Sequence, residues 1–103
     1  MTYIEELQDV IRRLHGSEST HVETVPVKEM WEGQTVWEGE VEVFDLHNHP
    51  DTSRVYAWVH ETDDADHPRR HVTVLHITPA TSPRKAVQAS IVSDYREQTN
   101  AES

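Results

Sequence analysis

The chain has no cysteine, three glycines, one phenylalanine, two lysines (Lys28 and Lys85) and no long apolar run. Each shortage closes off a class of function. Without thiols there is no disulfide framework, no thiolate metal site and no cysteine nucleophile. With glycine only at positions 16, 33 and 39, the sequence contains no phosphate-cradling loop, dinucleotide fingerprint or nucleophile elbow. No stretch approaches the roughly 20 apolar residues that cross a bilayer as a helix. The opening MTYIEELQDV is acidic and helically periodic instead of basic and then apolar, so no secretion leader is read there and the cytoplasm is the expected location.

What the chain does have is acid: 19 Asp and Glu against 9 Lys and Arg, a net charge of −10. Such a field repels phosphate backbones and anionic lipid, which argues against nucleic acid and membrane partners. An acid-rich, lysine-poor surface suits a salt-loaded cytoplasm in which self-repulsion is screened, so a halophilic source is one expectation and a high-GC genome the other.

At 103 residues the chain is sized for one domain. The expectation is an α+β domain over residues 1–97, with residues 98–103 as a disordered tail. Thr2 and Glu5 form a capping box, and Tyr3, Leu7, Val10, Ile11 and Leu14 recur at helical spacing before Gly16. THVETVPVKEMW reads as a strand whose Pro26 confines it to an edge or a bulge. After the Gly33 turn comes TVWEGEVEVFDLH. Its apolar residues occupy both parities, so either both faces are covered or Gly39 marks a bulge. RVYAWVHE and RHVTVLHIT are two further strands, and the carboxylates Asp63 and Asp64 between them read as solvated loop charge. Ser82 and Pro83 open a second helix carrying Val87, Ile91 and Tyr95 in one stripe. The predicted order is α-β-β-β-β-α, an antiparallel sheet with both helices on one face.

With the PDTS turn at the middle hairpin, Phe44, Leu46, Val55, Ala57 and Val59 share one face, taken as the core. The other face holds Val41, Val43, Asp45 and His47 beside Tyr56, Trp58, His60, Val72, Val74 and His76. Left uncovered, that aromatic and histidine-bearing face would be a binding surface, with Tyr56, Trp58, His47, His60 and His76 as its candidate residues. The repeat WEGQTVWEG places Trp31 and Trp37 on either side of a turn, where they are expected to face each other or the nearby core.

In an extended strand His47 and His49 would point to the same side, as His-x-His metal ligands do. The HNHPD run is similar to the His-x-His-Pro core of the MPN-type zinc isopeptidases, which implies a zinc-dependent hydrolase. Trp58 and Glu61 stand where that family carries serine and aspartate, and no counterpart of its upstream glutamate is evident. Metallo-β-lactamase-type motifs carry a second histidine after the aspartate, where this chain has Thr52. VWEGEVEVFDL, His49-Pro50 and YAW together resemble small single-domain bacterial proteins of an uncharacterised class. The helix, antiparallel strands, helix order is similar to the double-stranded-RNA-binding fold, whose lysine-rich second helix start is reduced here to Arg84-Lys85. The leading expectation is a non-enzymatic binding or interaction domain without cofactor. Its partner would be another protein or a second copy, met through the Tyr56/Trp58 face or the Pro26 edge. The alternatives are a metal protein built on His47 and His49, or an RNA-binding domain.

Overall fold

In the computed structural model, residues 2–61, 65–66 and 69–102 are described, with side chains for all of these but Glu61 and residues 94–102. Asp63, Asp64 and the Tyr95 side chain lie outside the described residues. Helix α1 spans Tyr3–His15. Its Thr2 hydroxyl accepts from the Glu5 N–H at 3.2 Å, and Glu5 Oε1 accepts in return from the Thr2 N–H at 3.4 Å. At the other end Gly16 takes φ 69° and donates its N–H to the Arg12 carbonyl, as a left-handed cap does. Glu5 and Glu6 in the first turn and Arg12, Arg13 and His15 in the last both favour the helix dipole.

Strands β1 (Ser19–Trp31), β2 (Gln34–Leu46), β3 (Arg54–Glu61) and β4 (Arg69–Leu75) form an antiparallel meander in the order β1-β2-β3-β4. Trp31 pairs with Gln34 across a two-residue turn, with φ 50° at Glu32 and 80° at Gly33. Two consecutive positive φ values define the turn that matches strand twist, and glycine takes the second at no steric cost. As Pro26 requires, β1 is an edge strand, and its register shifts at His21/Glu23 and again at Glu29/Met30. Helix α2 covers Pro83–Glu102 and is opened by the Ser82 hydroxyl, which accepts from the Lys85 N–H at 3.2 Å. No glycine or proline follows Pro83 to interrupt it.

Pairing of Val43 with Tyr56 and of Phe44 with Val55 sorts the side chains into the two faces read from the sequence. The helices, however, are not on one face. Leu7 and Ile11 of α1 pack on Phe44, Leu46, Val55 and Ala57, while Ala86 and Val87 of α2 pack on Val41, Val43, Tyr56 and Trp58. The expectation of one-sided helices is therefore corrected to a sheet between two helices. The cause is the run Val41, Val43, Phe44 and Leu46, which is apolar in both directions. Leaving either face wet would forfeit about 1.5–3 kcal/mol for each large side chain. Gly39 marks no register shift. A Cβ there would stand 3.1 Å from the Trp37 ring, so glycine makes room for the indole.

Candidate functional site

The aromatic face is the first place to look, and it is closed. Tyr56 and Trp58 are each 2 % exposed beneath α2. The expectation of an open binding surface there is overturned, because α2 supplies the cover that the sequence reading had assigned to the other side. Trp37 completes this cluster, edge-on to Trp58 with ring centroids 5.7 Å apart. Of the candidate residues, Tyr56 and His76 are brought together, the phenol hydroxyl lying 2.5 Å from His76 Nδ1. Burial pushes the Tyr56 phenol above its usual range. His47 and His60 are exposed and separate from that pair; His47 Nε2 lies 2.7 Å from the Thr20 hydroxyl.

The metal geometry read into HNHPD is also broken. β2 ends at Leu46, and Asn48 takes φ 63°, so His47 and His49 are not successive outward residues of one extended strand. His49 Nδ1 instead accepts the Asp51 N–H at 3.1 Å, closing the turn. Among the described residues no three histidine, aspartate or glutamate groups are placed to hold one ion.

Three polar arrangements went unnoticed in the sequence. The first is Glu42, 3 % exposed, which takes His21 Nε2 at 2.9 Å and the Thr24 hydroxyl on the same carboxylate oxygen. Threonine, histidine and acid suggest a proton relay, but a relay needs the nucleophile and the acid on opposite ring nitrogens. Here the Thr24 hydroxyl approaches Nε2 as well, at 3.5 Å, so the cluster ties the bulged edge strand to β2. The second lies along α1. His15 Nε2 is 2.8 Å from the Thr73 hydroxyl, and its pKa is lowered first by burial and then by the neighbouring His49. His71 Nε2 lies 2.7 Å from Glu6 Oε1, which is the main reason the Glu6 carboxyl titrates below its usual range. The third is under α2. Glu29 accepts from Gln88 Nε2 at 3.3 Å and has Arg84 Nη1 3.2 Å from Oε1. The guanidinium approaches off the hydrogen-bond axis, making that contact ionic.

Open surface is found elsewhere. β2 and β3 pair only from Glu42/Ala57 to Asp45/Arg54 and then part. The gap forms a cleft of about 520 Å³ rimmed by Trp37, Glu40, His60 and Arg69. Tyr3 reaches into it and accepts the Val59 N–H at 3.3 Å, a bond that β2 would otherwise make. Beyond the Glu29 anchor the β1–β2 hairpin ends in a tip where Met30 is 50 %, Trp31 69 % and Val36 51 % exposed. Of Trp31 and Trp37, expected to face each other or the nearby core, Trp37 packs on the core while Trp31 stands in solvent. The bulge at Glu29/Met30 breaks the strand register between them.

No protein-family model, curated protein or solved structure matches the chain.

Proposed function

We propose that the chain is a cytoplasmic, non-enzymatic interaction domain that presents the tip of its β1–β2 hairpin to another protein. The observation that carries this reading is Trp31, 69 % exposed at the end of an arm held to the body by Glu29 with Arg84 and Gln88. Tryptophan and methionine bury large apolar area on binding, and tryptophan is prominent among residues that dominate interface energy. A two-residue turn and an anchored base mean that little conformational entropy is lost when the tip docks. Glu32 beside Trp31 and the net charge of −10 select a partner with an apolar pocket and a basic rim. No helix among the described residues is long and apolar enough to cross a membrane, which fits this reading.

The test is affinity capture from the source cell extract with wild type and with Trp31→Ser. The partner should be retained by the wild type and lost by the variant, and the two proteins should melt within about 0.5 kcal/mol of each other, as exposed substitutions do. Equal retention by both would remove the tip from the interface.

A further inference from the structure

The two edges of the sheet are finished differently. β1 carries Pro26 and two register shifts, features that prevent a further strand from adding. β4 pairs with β3 in unbroken register from Leu75 to Arg69 and contains neither proline nor bulge. The direction of its outer groups follows from the ladder. The His76 N–H donates to the Arg54 carbonyl at 2.9 Å, which makes that pair a hydrogen-bonded one. By alternation Tyr56–Val74 and Trp58–Val72 are also hydrogen-bonded pairs, whereas Ala57–Thr73 and Val59–His71 are not. The Val59 N–H, which donates to Tyr3 and not to β4, fits this phase. The backbone N–H and C=O of His71 and Thr73 therefore point away from the sheet, and among the described residues no hydrogen bond meets them.

We propose that this edge pairs antiparallel with β4 of a second copy, about a two-fold axis through Val72, joining two four-stranded sheets into one of eight strands. An antiparallel edge is self-complementary under two-fold symmetry. In this register His71 exchanges both backbone hydrogen bonds with Thr73 of the partner subunit, and the same happens at the symmetric position. Arg70 then lies opposite an apolar position, so no like charges meet across the axis. A shallow groove of about 270 Å³ between Val72, Val74, Ala89 and Ser93 runs beside the edge and leaves room for the added valines. The pairing does not involve the hairpin tip.

The absence of cysteine provides a clean readout. At a non-hydrogen-bonded antiparallel position facing Cα atoms are about 4.5 Å apart, within disulfide range. Val72→Cys is expected to oxidise to a covalent dimer and Val74→Cys to stay a monomeric thiol. Sedimentation equilibrium of the wild type at millimolar chain and molar salt should give twice the chain mass. Thr73→Pro, which deletes an outward N–H that the fold does not use, should give the single mass. Thr73→Val, which loses only the hydroxyl, and Trp31→Ser should both remain dimers. A wild type that is monomeric under these conditions, a dimer indifferent to Thr73→Pro, or equal cross-linking at 72 and 74 would overturn the proposal. If Thr73→Pro does not fold, the two cysteine variants decide alone.

Discussion

Under α1 both layers bring bulk: Leu7 and Ile11 press on Phe44 and Leu46, with Val55 and Ala57 beside them. Under α2 the bulk is all on the sheet, with Tyr56 and Trp58 rising from it and Ala86 and Val87 meeting them from the helix. The α1 interface therefore sets large against large and the α2 interface small against large, so neither helix could be exchanged for the other. The polar surroundings differ as well. The α1 side is bordered by His15, His21 and His71 bonded to hydroxyls and carboxylates, the α2 side by Glu29 with Arg84 and Gln88. The two sides should therefore respond to different perturbations.

The strongest challenge to the pairing of faces is to hollow out each in turn. Phe44→Ala on the α1 side and Trp58→Ala on the α2 side are each expected to cost about 3–5 kcal/mol in urea unfolding. Losses of similar size would make both faces parts of one cooperative core. A cost below about 1 kcal/mol for Trp58→Ala would mean that α2 does not cover its ring. Enlarging the small side of the α2 interface is the next largest effect. Ala86→Leu should cost about 1–3 kcal/mol by overpacking, whereas Leu14→Ser on the exposed side of α1 should change the urea midpoint little.

These contrasts show what could be read in advance. The caps at Thr2, Gly16 and Ser82 were legible because capping depends on side chains a few residues apart. The division of β2 and β3 into faces was legible because period-two alternation and a turn fix strand register. The side taken by α2 was not, since it depends on how the connection from His76 to Ser82 crosses the sheet, and both faces offered apolar surface. Glu42 was missed because an acid in alternation looks solvated; its partners His21 and Thr24 come from a strand paired only after folding. The metal alternative for HNHPD could not be weighed in advance, because only the fold shows Asn48 in the left-handed region, which undoes the extended geometry on which His-x-His ligation depends.

Proton concentration separates the two sides next. His15 has a pKa below the usual histidine value near 6.5, so its stabilising share is complete above that value and lost as pH falls through the folded pKa. Glu6, also depressed, adds a further loss below the ordinary glutamate range. Acid should thus weaken the α1 side first, and His15→Asn should flatten the upper part of the decline in urea midpoint between pH 7 and pH 5. A decline unchanged by His15→Asn would assign it elsewhere. At the alkaline end Tyr56 and Tyr3 both have raised pKa values, so stability is whole below about 10 and falls as pH rises through their folded values. Tyr56→Phe should shrink that alkaline loss and cost about 1 kcal/mol at neutral pH, the worth of the bond to His76.

Salt should give the smallest separation, because screening relieves self-repulsion on both sides and weakens ion pairs only locally. Arg12 and Arg13 both pair with Asp9 on the outside of α1, and exposed pairs of this kind are worth about 0–1 kcal/mol and are weakened by screening. Against that, the net charge of −10 repels itself throughout the chain, and screening relieves it everywhere. At molar salt the Debye length falls to about 3 Å, which removes long-range repulsion but leaves the partly buried contact of Glu29 with Arg84 largely intact. The expected outcome is a Tm that rises from low to molar sodium chloride, with amide protection increasing more in α2 and the sheet than in α1. Removing the pairs with Asp9→Asn should abolish that lag of α1 without changing the direction of the overall rise. A Tm that stays flat across the series would show that self-repulsion is not what limits this fold, and with it would go the case for a salt-adapted surface.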